Sequence, residues 1–458
     1  MNLLKNTISR LSGLFLLSFL MSSCLGNMDP IEYSADATVH SFELDKVLGV
    51  NYRFTIDHGA GKIYNVDSMP VLSDTIIDRI LIKKLTVLGG VQALTPAGAD
   101  SLLNLNDSLD LRGTMEVLPD GTAGNPLRLK AWAPDGVHNK EYRLSVRVHQ
   151  QHADSLSWGS RPVASEISNL TGKLKLVPLG EKVYLFYQGQ HTQVVTASKQ
   201  NAAVWNEETM NGMPADFDYN SVVNYGEHLF VSTASGDVYQ SDDALNWQKN
   251  EGLSGQQVKC LLVAFPSTGN EHYNNVAGLS AIVSREDGLH FALTDAGASQ
   301  WTTTGAAVPA KFPVENTSAS IYKNNLGVNT AILVGDLQAE QVAESDTSTV
   351  VWTTTNGESW YPLSTTSVYD CPRVDNPTVM HYGDHFYVFG RKFDGFYRSK
   401  DGLTWQAVNE RFLMPVDIRG KESNYTSWVD AQHFIWLVRE TPNEVWRGRL
   451  NELGFKVR

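Results

Sequence analysis

The chain has 458 residues, 42% hydrophobic and 19% charged, which excludes a disordered protein and exceeds what one compact core holds. Its 37 basic residues face 50 acidic ones, a net charge of −13, and this argues against a surface built to neutralise nucleic-acid phosphates. Three cysteines are too few for a disulfide scaffold or a clustered zinc site, while 11 tryptophans and 17 tyrosines tilt the chain towards all-β structure.

Residues 1–23 read as a signal peptide. Lys5 and Arg10 precede an apolar run from Leu14 to Met21, and the small residues Ser22-Ser23 stand before Cys24. The run is short for a transmembrane helix. The segment resembles a bacterial lipobox, with Met21 where leucine is usual. That implies cleavage before Cys24 and acylation of its thiol, each buried CH₂ adding about 0.8 kcal/mol of membrane attachment. Leu25 after the cysteine, where no aspartate stands, points by analogy to the outer membrane. Cleavage would remove Lys5 and Arg10 and no carboxylate, taking the net charge from −13 to −15. Residues 24–34, with Gly26, Asn27 and Pro30, read as a tether.

Residues 35–150 carry short alternating runs: Val39–Leu44, Ile80–Val87, Leu127–Gly136 and Glu141–Val148. Period-two alternation with Pro134-Asp135-Gly136 as a turn is the signal of hairpins in a β-sandwich. The final pair resembles the closing hairpin of cadherin-like or immunoglobulin-like bacterial modules, which implies a spacer without chemistry. His58–Ile63 lacks the spacing and the strand–helix context of a phosphate loop.

Residues 155–458 repeat themselves. A turn followed by an aromatic strand recurs at Gly180–Leu185, Gly226–Val231, Gly383–Val388 and Ala431–Trp436. A polar turn ending in tryptophan recurs at Ser241–Trp247, Thr354–Trp360 and Ser399–Trp405, with weaker copies ending at Trp205, Trp301 and Phe455. The first motif leads the second by 21 to 25 residues. Units of roughly 45–50 residues are the size of four-stranded propeller blades, so six blades are expected. A partial copy, Asp154–Trp158, is placed to lend a closing strand. The polar turn resembles the Asp-box of sialidase-type propellers, shortened by one residue. Its Asp, Ser and Trp residues read as structural: the carboxylate caps the turn and the indole packs between blades.

Candidate site residues are few. Arg285, Arg391 and Arg439 fall at matching positions after the second strand of their units, and Arg373 stands in the loop before unit five. Guanidiniums converging there would clamp a carboxylate bidentately; otherwise they pair locally with Glu286, Asp394 and Glu440. His228, His385 and His433 occupy one slot in different units, and the His381/His385 spacing suits a helix, so no metal is expected. Cys260 reads as a buried thiol and Cys371 as a loop residue, their pairing being the lesser reading. No nucleophile elbow, zincin motif, phosphate loop or dinucleotide fingerprint is present, and no cofactor is expected.

In overall plan, including Ile63–Pro70 and the Ala133-Pro134-Asp135-Gly136 hairpin, the chain resembles a Bacteroidetes family of uncharacterised lipoproteins. The resemblance implies a β-sandwich followed by a propeller in the cell envelope, and no chemistry. The expected function is a non-catalytic, lipid-anchored protein whose propeller binds a glycan or an envelope protein. The alternative is a sialidase-like glycoside hydrolase acting on an anionic sugar, although Ser160-Arg161-Pro162 only faintly echoes the motif of that class.

Overall fold

A computed structural model of the chain describes residues 31–94, 100–165, 167, 170–188, 192–266, 276–364 and 369–454. Cys24 and Phe455 lie outside the described residues. Two compact units divide between His152 and Ala153.

The first unit is all-β apart from short helical turns. Strands β1 (Ser41–Leu44) and β4 (Ile82–Thr86) pair antiparallel. The strands β2 (Phe54–Asp57), β3 (Lys62–Asn65), β5 (Val91–Leu94), β6 (Asp100–Leu102), β7 (Leu127–Trp132) and β8 (Asn139–Ser145) form a second sheet. Its order is β2-β3-β8-β7-β5-β6, with β3 and β8 parallel. Alternation explains the burial: Leu129 and Ala131 of β7 and Tyr142 and Leu144 of β8 are buried. They share one core with Phe42 and Ile82 of the smaller sheet. The run expected through Gly136 stops at Trp132, where Asp135 accepts the amides of Val137 and His138, each at 2.9 Å. The amide of His138 and its ring are the main causes holding that carboxyl down at about 2. His58 stands in the β2–β3 hairpin turn, where Asp57 accepts the amide of Ala60.

The second unit contains six sheets among the described residues. Two strands, β9 (Leu156–Trp158) and β10 (Ala164–Ser165), precede them. Sheet one is β11 (Leu174–Leu179), β12 (Lys182–Gln188), β13 (Thr192–Ser198) and β14 (Asn201–Glu208). Sheet two is β15 (Val223–Tyr225), β16 (His228–Ser232), β17 (Val238–Ser241) and β18 (Gln248–Lys249). Sheet three is β19 (Val258–Phe265), β20 (Gly278–Arg285), β21 (Gly288–Thr294) and β22 (Trp301–Ala307). Sheet four is β23 (Glu315–Lys323), β24 (Asn329–Asp336), β25 (Val351–Thr354) and β26 (Tyr361–Leu363). Sheet five is β27 (Thr378–Tyr382), β28 (His385–Phe389), β29 (Tyr397–Ser399) and β30 (Gln406–Ala407).

The sixth sheet has three sequential strands, β31 (Tyr425–Val429), β32 (Ile435–Arg439) and β33 (Glu444–Leu450). Its outer position is filled from the start of the unit, because β9 and β10 both pair with β33. The weak copy expected to end at Phe455 therefore does not supply this strand, since the chain turns helical at Asn451–Gly454. Gly448 makes the arrangement possible: a Cβ there would meet the Trp158 ring at 2.5 Å.

Six apolar clusters hold consecutive sheets together, one of them joining sheets six and one through Trp436, Val438, Leu176 and Val183. Neighbouring first strands are tied by side chains as well. Leu176 N donates to Thr426 Oγ1 at 3.0 Å, Asn224 Nδ2 to Pro178 O at 3.0 Å and Val379 N to Ser318 Oγ at 3.2 Å. This cycle of radial antiparallel sheets is a β-propeller.

The recurring turn has a common geometry. Asp401 Oδ1 accepts Ser399 Oγ and the amides of Leu403 and Thr404, all at 2.9 Å. Asp243 and Asn356 do the same in their sheets. The following residue is left-handed, at φ +64° for Ala244, +71° for Gly357 and +77° for Gly402. Trp247 and Trp405 return their indole N–H to the carbonyls of Ala244 and Gly402. Cys260 and Cys371 are both free and buried, and desolvation pushes both thiols up to about 12.

Candidate functional site

In each sheet the first strand begins, and the second strand ends, at the same edge. Loops joining second to third strands, and fourth strands to the next sheet, therefore gather on one face. The four arginines singled out in the sequence all belong to these loops or strand ends, but they have different surroundings. Arg285 is an exposed residue at the end of β20 in sheet three. Arg391 is half-buried and pairs with Glu422 at 2.7 Å. Arg439 is fully buried, pairs with Glu444 at 2.8 Å, donates to Lys421 O at 2.9 Å and lies over the Phe393 ring. The acidic partners of Arg391 and Arg439 are thus Glu422 and Glu444 rather than Asp394 and Glu440. Arg391 and Arg439 meet the same segment, Lys421–Ser423, since Arg391 O also accepts the amide of Ser423. A guanidinium so enclosed has no face left for a ligand, and Arg439 holds sheet six together.

Arg373 is different. It lines a cleft of about 150 Å³ with Lys311, Asp336, Asp346 and Val374, at the loop edge of sheet four. Three loops build it, β22–β23, β24–β25 and β26–β27, and the last two are laced together. Arg373 N donates to Thr347 O at 3.0 Å, Thr349 N to Cys371 O at 2.9 Å, and Val374 N to Thr349 Oγ1 at 3.0 Å. Arg373 Nη1 donates to Asp346 O at 3.2 Å. Lys311 Nζ donates to Asp346 Oδ2 at 2.6 Å, and this bond, more than any other, holds the Asp346 carboxyl below its ordinary range. Asp336 shifts the opposite way: burial raises its pKa, although Asn316 Nδ2 donates to it at 2.7 Å and Asn376 N at 3.1 Å.

Asn316 and Asn376 connect the cleft to a second cavity. This channel of about 430 Å³ is lined by the first strands of all six sheets. Lys175 lines it, with its ammonium donating to Asn220 O at 3.1 Å. Desolvation holds that lysine below its ordinary pKa.

Lys175, Lys311, Asp336 and Asn376 did not stand out in the sequence. Lys173-Leu174-Lys175-Leu176 reads as a common alternating strand, and only ring closure makes its polar face an interior one. Asn316 and Asn376 stand at φ +46° and +47°, a region that asparagine tolerates.

The histidines have ordinary roles. His228 pairs with Asp242 at 2.7 Å, His385 Nδ1 lies 3.1 Å from Gly383 O, and His381 stacks on Tyr322. His433 adopts a left-handed turn conformation with φ +63°. Among the described residues no group of three or more His, Cys, Asp or Glu side chains is placed to hold a metal ion. Among them too, no helix is long and apolar enough to cross a membrane.

Residues 152–458 match the family model described as the DUF6242 beta propeller domain, and residues 31–146 match that of the DUF6242 N-terminal domain, a domain of unknown function. No curated protein matches the chain. Among solved structures, a DUF4623 family protein from Bacteroides eggerthii is similar at 11% identity and a TM-score of 0.37, covering 90% of this chain and 98% of that one. An auxiliary nutrient binding protein from Bacteroides thetaiotaomicron is similar at 9% identity and a TM-score of 0.42, covering 81% and 92%. A catalytically inactive virginiamycin B lyase from Staphylococcus aureus, solved with quinupristin, is similar at 10% identity and a TM-score of 0.37, covering 79% and 95%. None of these three likenesses bears on ligand or activity.

Proposed function

The chain belongs to the DUF6242 family, and from that premise we propose that it is a non-catalytic, six-bladed propeller protein of the cell envelope that binds a glycan at the Arg373 cleft. Residues 24–34 act as a tether from an acylated Cys24 in the outer membrane, as in the Bacteroidetes lipoproteins it resembles. Residues 35–150 act as an immunoglobulin-like or cadherin-like sandwich that spaces the propeller from the surface. The Asp-box-like turns are structural.

One observation carries the glycan reading: donors and acceptors from three loops and the end of β24, Arg373 and Lys311 beside Asp336 and Asp346, meet in one cleft. Sugar hydroxyls need both kinds of partner, whereas a simple anion needs donors alone. The cleft is smaller than the roughly 300–1,000 Å³ of ordinary ligand pockets, which suits one terminal sugar group. Arg373 supplies N–H groups from an exposed position, and Asp336 supplies oxygens fixed by Asn316 and Asn376.

A glycoside hydrolase is the second reading. It is favoured by the opposite pKa shifts of Asp336 and Asp346, the pattern of an acid beside an ionised carboxylate. Against it stands the engagement of both groups, Asp346 with Lys311 and Asp336 with two asparagines. Calorimetric titration with a panel of oligosaccharides, in parallel with release of a fluorogenic aglycone from a sialoside, separates the two. Binding without release, weakened by Arg373→Ala, is the expected result. Release abolished by Asp336→Asn would establish the hydrolase.

A further inference from the structure

We propose that the central channel of the second unit is a binding site for a small monocarboxylate, held by the ammonium of Lys175. Its lining residues are different from those of the glycan cleft, the two cavities meeting where Asn316 and Asn376 of the channel bond Asp336 of the cleft.

The geometry begins with β11. Leu174 and Leu176 are buried in the cluster between sheets six and one, so Lys175 between them faces the other way, towards sheet two, and lines the channel where it meets Asn220. Its Nζ carries three N–H donors, and one of them meets Asn220 O. Among the described residues that line the channel there is no aspartate or glutamate, and Lys175 is the one cation. The rest of the polar lining is neutral and includes Asn220, Asn224, Asn316, Asn376, Thr426 and Ser427. The carboxylate that acts on Lys175 through space is Asp218, which caps the turn Tyr219–Ser221 by accepting the amide of Asn220. Tyr425, the other titratable group in the lining, keeps its hydroxyl on Asn376 O at 2.8 Å and Thr378 Oγ1 at 2.9 Å.

A single half-buried ammonium among amides and hydroxyls selects the charge of its ligand. A monoanion balances it, whereas a dianion such as phosphate would carry an uncompensated charge into a confined space. Two further Lys175 donors are available to the two carboxylate oxygens, and the amides can take hydroxyls borne by the same molecule. A volume of about 430 Å³ lies within the range of small-molecule sites. A free acid and a uronic acid sugar both supply such a carboxylate, and the channel chemistry is common to both.

Calorimetric titration of the full chain with acetate, glucuronate, neutral glucose and inorganic phosphate tests the assignment. Acetate or glucuronate should bind, glucose and phosphate should not, and the preferred one identifies the source of the carboxylate. Lys175→Met should weaken binding about tenfold or more, as expected for losing a charge-assisted bond. The variant removes a desolvated charge and keeps the chain length, so it is expected to fold. Binding by the unaltered protein should also fall as pH is raised through the depressed lysine pKa, a readout independent of any variant. Absence of binding by both monocarboxylates, tighter binding of phosphate, equal affinity in Lys175→Met, or affinity insensitive to alkaline pH would each overturn the proposal.

Discussion

Replacing Glu444 by leucine should unfold the sixth sheet at much lower temperature. Glu444 and Arg439 face each other across β32 and β33, with side-chain exposures of 10% and 0%. Burial already lowers the pKa of Arg439, so the charged form is costly there and Glu444 offsets the cost. Glu444→Leu would leave the guanidinium with Lys421 O and the Phe393 ring as partners. Stranding a buried charge in this way costs about 3–5 kcal/mol. For a unit of about 300 residues that is a fall of roughly 5–8 °C in Tm. The double variant Arg439→Met, Glu444→Leu removes both charges and should recover to within about 1 kcal/mol of the parent. Thermal and urea unfolding followed by tryptophan fluorescence reads this directly, because Trp436 and Trp446 stand on the same two strands. A single variant within about 1 kcal/mol of the parent, or a double variant worse than the single, would show that Glu444 does not offset a buried charge on Arg439.

Other outcomes follow from particular residues. Gly402→Ala should destabilise by about 1–2 kcal/mol in urea unfolding, since the residue sits at φ +77° and its Cβ would meet Leu363 Cδ1 at 2.9 Å. Asp243 has a folded pKa of about 2 against 3.8, so its contribution is complete above about pH 4 and lost as pH falls through 2; Asp243→Asn should flatten the acid limb of a Tm-versus-pH profile. Cys260 and Cys371 should stay unreactive towards a thiol reagent until the protein unfolds. Lys175→Met should raise Tm at neutral pH; the cost of the desolvated ammonium is complete below its depressed pKa and fades as pH rises from there to the ordinary lysine value, so the gain shrinks in alkali.

Much of this architecture was legible because turn chemistry is local. A Ser-x-Asp or Thr-x-Asn turn before tryptophan needs a side-chain cap, a left-handed residue and a packed indole within a few positions, and Asp243, Asn356 and Asp401 meet that requirement. The closing strand was only half legible: Leu156–Trp158 echoes the repeat, but its place on β33 depends on Gly448 opposite Trp158. The arginines show the limit of spacing arguments. Arg391 and Arg439 occupy matching positions, yet one is half-buried on Glu422 while the other is enclosed by Glu444, Lys421 and Phe393. Equivalent positions in a repeat share backbone geometry and not their neighbours. The cleft and the channel were hidden for a related reason. They are assembled from loops and strands of different sheets, so Asp336, Arg373 and Lys175 acquire their surroundings only when the ring closes.

The most direct test of the glycan reading is an array of glycans probed with the parent protein, Arg373→Ala and Asp336→Asn side by side. A defined set of glycans should be retained by the parent and lost by both variants, with every retained glycan recovered intact. Identical retention by all three proteins, or cleavage of the retained glycans by the parent, would contradict the glycan reading.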